Sequence, residues 1–192
     1  MKKTTIIVAA LFFAASVFAQ ENKNVKWGVK GGLNLAQETV SDGETGARGG
    51  IHLGGFMETP LSKGIDFQLA LLYSMQGGSY KMKSTTYTDK LDYITVPLIL
   101  KIYINQKRRF TIDVGPQAGF MVSAKVSDGK SSINLYDEPE LNKFEAAINI
   151  GISYKIKDNF DLVFRGTGGL TTIADNVEHK NSVLQIGIGY RF

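Results

Sequence analysis

The residues of this chain that could do chemistry are charged and amide side chains recurring at every second position. Lys30, Glu58, Gln68, Lys101, Asp113, Gln117, Asn149, Lys155, Asp161, Arg165, Gln185 and Arg191 stand in segments whose alternate positions are largely apolar. A period of two places such residues on one face of a β-strand. Their chemistry, gathered in a confined interior, is ion pairing and hydrogen bonding, with a proton or ion path as the functional alternative. Pairing takes precedence, because a charge held away from water is costly unless partnered. Catalytic chemistry has little material. The chain has two histidines and no cysteine. His52 falls on the polar, inward parity and His179 in a predicted loop. A His–Ser–acid set acting on lipid would have to lie on an outer wall or rim. No metal-ligand spacing occurs. The glycine pairs at 31–32, 49–50, 54–55 and 168–169 precede no helix, so they are not phosphate loops. No catalytic residue and no cofactor is expected.

The elements that must position these residues are strands. Alternation marks eight, over residues 25–36, 48–60, 65–76, 91–104, 110–123, 144–156, 160–171 and 181–192. In the last, Leu184, Ile186, Ile188, Tyr190 and Phe192 share one parity, and Val183, Gln185, Gly187, Gly189 and Arg191 the other. Ile51, Leu53 and Met57 take the apolar parity of the second strand. Pro97 and Pro116 fall inside strands and mark a bulge or local break. The connections, 37–47, 61–64, 77–90, 105–109, 124–143, 157–159 and 172–180, alternate long with short. A large apolar face on the final strand, every long loop at one end and an even strand count together describe a transmembrane barrel. Beyond residue 19 no apolar run is long enough for a spanning helix. Average hydropathy near zero (−0.06) agrees with a wall apolar only at alternate positions. The expected fold is all-β, an eight-stranded antiparallel up-and-down transmembrane β-barrel.

Export is read from the first residues. Met1-Lys2-Lys3 is basic, Ile6 to Phe18 is almost wholly apolar, and Ser16-Val17-Phe18-Ala19 precedes Gln20. This is the layout of a secretory signal peptide over 1–19, cleaved after Ala19, with the barrel domain over 20–192. No lipobox cysteine is present. The formal charge of +4 includes Lys2 and Lys3, which leave with the signal peptide. The remaining balance gives no reason to expect a nucleic-acid partner.

Hairpin register predicts lumen partners. Ile102 opposite Ile112 sets Lys101 against Asp113. Ile156 opposite Phe160 sets Lys155 against Asp161. The turn at 61–64 sets Glu58 against Asp66, two acids that need Lys30 or Lys101 from flanking strands. Arg165 joins the interior charges. Aromatics on the lipid parity form two belts. Trp27, Phe67, Phe110, Tyr154, Phe160, Tyr190 and Phe192 lie near the short turns, and Tyr73, Phe120 and Phe144 near the long loops.

Three stretches resemble a known family. Trp27-Gly28-Val29-Lys30-Gly31-Gly32-Leu33-Asn34, then Leu91-Asp92-Tyr93-Ile94-Thr95-Val96-Pro97-Leu98-Ile99-Leu100-Lys101, then Gly115-Pro116, are similar to the PorT-like outer-membrane β-barrels common in Bacteroidetes. The resemblance covers the mature chain. It implies a barrel in the cell outer membrane, bathed in outer-membrane lipid, and accounts for prolines inside strands. It also implies that a terminal strand ending in an aromatic residue, here Ile188, Tyr190 and Phe192, is read by the barrel insertion machinery. Most members have no assigned activity, one branch serves secretion or gliding, and no functional residue carries over. The expected function is therefore non-enzymatic: a barrel with a side-chain-filled lumen, structural or contacting an extracellular or periplasmic protein partner through loops or rim. Two alternatives stand beside it, an outer-membrane lipid-modifying enzyme and a soluble periplasmic lipocalin-like barrel with its apolar parity inward.

Overall fold

The computed structural model describes residues 25–40, 43–82, 85–104, 107–139, 141–174 and 179–192. The expected signal peptide, residues 1–19, lies outside them. The strands are β1 (Lys26–Val40), β2 (Gly43–Glu44), β3 (Gly46–Ser62), β4 (Ile65–Gln76), β5 (Gly78–Met82), β6 (Thr85–Tyr103), β7 (Phe110–Ser127), β8 (Ser132–Asn134), β9 (Phe144–Lys157), β10 (Phe160–Gly169) and β11 (Lys180–Arg191). Eight are long and make the wall: β1, β3, β4, β6, β7, β9, β10 and β11. Each pairs antiparallel with the next. β11 then pairs with β1 from Gly28↔Arg191 to Thr39↔Lys180, closing the ring. Closure removes every free edge, as a wall facing lipid requires. β2, β5 and β8 are short ladders above the wall, pairing β1, then β3 and β6, then β7. In the sequence they fall within the long connections, because ladders of two to five residues are too short to show a period.

The apolar parity faces outward. Leu33, Leu53, Leu71, Ile150, Ile152, Phe164, Ile186 and Ile188 are all exposed, Ile150 by 66%. The polar parity is inside: Lys30, Glu58, Gln68, Lys101, Asp113, Asn149, Asp161, Arg165 and Arg191 are each at most 6% exposed. A lipocalin-like barrel needs the reverse, so that reading fails on side-chain direction. Met57 is a local exception. It has the outward parity but is only 8% exposed, flanked in register by Trp27 and Leu69. The lumen is also less uniformly polar than its sequence implies. Phe56, Ala70 and Leu72 form a buried apolar cluster.

The in-strand prolines break the ladder as expected. Pairing of β6 with β7 runs to Pro97↔Gln117 and resumes at Leu100↔Val114. Pairing of β6 with β4 lapses between Leu69↔Leu98 and Leu72↔Thr95. Pro97 has no N–H to give. In the same gap a Cβ on Gly115 would collide with the Leu98 carbonyl, so only glycine permits this approach.

Candidate functional site

Strand alternation delivers the charges to the interior, and barrel closure decides which of them meet. Near the short turns, Glu58 of β3, Lys101 of β6, Asp161 of β10 and Arg191 of β11 form a closed ring of alternating charge. Lys101 Nζ donates to Glu58 Oε2 at 3.1 Å and to Asp161 Oδ2 at 2.9 Å. Arg191 Nε donates to Glu58 Oε1 at 2.9 Å, and Arg191 Nη2 also bonds Asp161. Each acid bridges both cations, and the four formal charges cancel. All four side chains are at most 5% exposed. Gln68 Nε2 donates to Glu58 Oε2 at 3.0 Å, and Lys30 Nζ donates to Gln68 Oε1 at 2.6 Å.

Further layers sit on either side. Toward the turns, Asp66 accepts from Arg108 Nη2 at 2.6 Å and from the Tyr103 hydroxyl at 2.8 Å. Above the ring, Asp113 accepts from Thr111 and Ser153 hydroxyls at 2.6 Å each, with Arg165 Nη2 at 3.6 Å. Thr167 donates to Asn149 at 2.8 Å. His52 Nδ1 lies 2.7 Å from Asn34 Oδ1, which also accepts from Gln185 at 3.1 Å. Near the long loops, Asn181 Nδ2 donates to Glu145 Oε1 at 2.8 Å and to the Tyr93 hydroxyl at 3.3 Å. The void among Lys30, His52, Leu72 and Arg165 measures about 10 Å³, room for one water at most.

The hairpin-derived partners stand as follows. Lys101↔Asp113 and Lys155↔Asp161 are the observed registers. The second arises differently from the expectation: Phe160 pairs with Lys157, and a bulge before Asp161 restores the offset. Register does not make either an ion pair. Lys101 reaches across the lumen to Glu58 and Asp161, leaving Asp113 to Arg165 and two hydroxyls. Lys155 forms no ion pair among the described residues, and its ammonium lies 5.6 Å from the Tyr103 ring centre. Glu58 is not opposite Asp66. β3 continues to Ser62, an irregularity separates Pro60 from Ser62, and the register becomes Glu58↔Gln68 and Pro60↔Asp66. The two acids are therefore not forced together. Of the two cations expected to serve them, Lys101 reaches Glu58, while Lys30 bonds Gln68. The expectation missed Tyr103, Arg108, Glu38 and Glu145. Arg108 lies in a turn and acts on Asp66 from outside the alternation.

Part of each expected aromatic belt comes together as ring pairs. Phe110–Tyr154, Phe160–Tyr190 and Tyr190–Phe192 ring centres lie 4.6, 4.9 and 5.5 Å apart at the short-turn end, and Phe120–Phe144 lie 5.5 Å apart at the other. Phe192 is 74% exposed on the lipid side, and its N–H donates to the Trp27 carbonyl at 2.9 Å. His52, inside and bonded to Asn34, cannot meet lipid on the outer wall.

A closed wall, apolar outside and charged inside, is the architecture that the family comparison recovers. Residues 18–175 match the family model described as outer membrane protein beta-barrel domain. The chain belongs to that family. It is an outer-membrane β-barrel protein. Among solved structures it is similar in fold to Neisserial surface protein A, at 16% identity and TM-score 0.59, covering 88% of this chain and 100% of that one. The attachment invasion locus protein Ail of Yersinia pestis is similar at 15% identity and TM-score 0.56, covering 88% and 99%. No curated protein matches the chain significantly.

Proposed function

We propose that this protein is a sealed, non-enzymatic barrel of the PorT-like branch, working through its long loops or rim on a protein partner rather than through its lumen. One observation carries the reading: side chains fill the interior around the ring of Glu58, Lys101, Asp161 and Arg191, and the void beside it holds about 10 Å³. Eight strands leave an interior that side chains can fill, and here they fill it. Such a plug stiffens the wall and blocks solute passage. Contact then falls to the loop between β7 and β9. Leu135, Tyr136 and Leu141 pack down on the apolar cluster of Leu91, Tyr93, Met121, Ala124 and Ile173, anchoring the loop from beneath. Asp128 accepts from the N–H groups of Lys130 and Ser131 at 2.8 and 2.6 Å, fixing a tight turn. Ile133, on β8, is left 65% exposed on this anchored loop, which also carries the exposed Asp137 and Glu138. An apolar residue held out on a rigid support fits protein contact better than free solvation.

The test has two arms. Purified protein in planar bilayers should give no large, steady conductance, and a porin-sized channel would overturn the sealed lumen. In cells, Ile133→Asp should leave the outer-membrane level unchanged and abolish co-purification of any surface partner captured by the native chain. A partner retained at native yield would remove this loop from the interface.

A further inference from the structure

A cavity at the other end of the barrel has a different character from the lumen plug. It lies at the long-loop mouth, has a volume of about 210 Å³, and is lined on one side by Leu91, Leu135, Leu141 and Ile173. On the other side stand Glu38, Asp89, Tyr80 and His179, with the exposed Lys125 at its rim. For scale, an apolar cavity of about 150 Å³ takes benzene. This one holds a ring-sized body and a polar head.

Among the described residues, one carboxylate oxygen of the polar side has no donor. The Glu38 side chain is 2% exposed, and its Oε2 faces His179 Nε2 at 3.7 Å, an ion pair only when the imidazole is protonated. Asp89 Oδ1 is buried and has no hydrogen-bond partner among the described residues. Arg48, the guanidinium of this layer, is turned to the main-chain carbonyl of Gln76. A buried carboxylate lacking donors is costly, and a positively charged donor offsets that cost. Tyr80, whose ring stacks on Tyr87 with centres 5.6 Å apart, also lines the cavity. A bare metal ion would leave the leucine wall unused, and the described residues hold no group of acids and histidines spaced for one. An anion would meet two carboxylates.

We propose that this mouth cavity binds a small organic amine, its ammonium seated at Glu38 and Asp89 and its apolar body against Leu91, Leu135, Leu141 and Ile173. The site is independent of the lumen plug, so it neither requires nor implies passage through the barrel.

The test titrates 2-phenylethylamine into the full-length mature protein in lipid nanodiscs carrying labelled Leu and Ile methyls. Expected are saturable shifts at Leu135, Leu141 and Ile173 in the millimolar range or tighter, with the lipid-facing Ile150 and Ile188 unmoved. Phenylacetate and 2-phenylethanol, of the same size, should each bind at least tenfold more weakly, and so should ethylamine, which lacks the body. Glu38→Gln and Asp89→Asn, each checked for β-sheet circular dichroism, should weaken the amine at least tenfold. Should Glu38→Gln not fold, Asp89→Asn and the ligand series on the native chain decide. Equal binding of phenylacetate, shifts confined to lipid-facing methyls, or native affinity in a folded carboxylate variant would each overturn the proposal.

Discussion

Replacing Lys101 with Met removes one corner of the buried charge ring. Methionine keeps most of the stem but none of the charge, so packing is nearly conserved and the electrostatic change dominates. Glu58 and Asp161 each lose one of two cations and keep Arg191. Removing one partner of a buried pair costs roughly 3–5 kcal/mol, because an uncompensated charge is left behind. Arg191 still serves both acids, which puts the expectation near the lower end, about 3 kcal/mol. With a urea dependence of about 2 kcal/mol per molar, the unfolding midpoint should fall by roughly 1.5 M. Trp27, the single tryptophan, lies on the lipid face near the short turns and is 61% exposed, so its fluorescence reports extraction from vesicles. A double-mutant cycle locates the effect. Lys101→Met with Asp161→Asn leaves one acid facing one cation, and the pair should show a coupling of about 1–3 kcal/mol. The cycle with Asp113→Asn should show less than about 0.5 kcal/mol, because Asp113 is held by Thr111, Ser153 and Arg165. A coupling to Asp113 as large as that to Asp161 would refute the cross-lumen ring in favour of the neighbouring-strand pair. A cost for Lys101→Met under about 1 kcal/mol, the worth of an exposed pair, would refute the ring as a buried network.

Other perturbations address the wall and its assembly. Ile150→Arg should destabilise the barrel in vesicles by about 2–4 kcal/mol if this position sits at the bilayer midplane, and a cost near zero would take Ile150 out of the lipid. Gly115→Val should prevent β6 from closing on β7 beside Pro97, seen as loss of folded yield in detergent, and a normally folded variant would dispose of the steric argument. Deleting Phe192 removes one lipid-facing ring, worth about 1.5–3 kcal/mol of burial at most, so folding in vitro should survive. In cells the same deletion should sharply lower the outer-membrane level if the insertion machinery reads the terminal strand. Unchanged levels would reduce Phe192 to packing against Tyr190.

What was legible in the sequence is what a strand records locally. A period of two states which residues face lipid and which face the lumen, so the outward set of Ile150, Ile152, Ile186 and Ile188 and the inward set of Lys101, Asp113 and Arg165 are readable from the sequence. The alternation of long and short connections carried the up-and-down order, and the even count carried closure. Hairpin offsets gave Lys101 opposite Asp113, because a tight turn fixes register over a few residues. The same reasoning slipped by two at Glu58, where the irregularity after Pro60 adds residues that composition does not announce. Only the tertiary structure decided which charges meet. Lys101 is joined to Glu58 two strands away on one side and to Asp161 three strands away on the other. Those distances exist only once β11 has closed on β1 and the strands have tilted around a narrow lumen. The mouth cavity is non-local in the same way, since Glu38, Asp89 and Leu135 come together from segments far apart in the chain. Alternation is a property of one strand and can be read from it, whereas contact across a closed barrel depends on the registers of all eight at once.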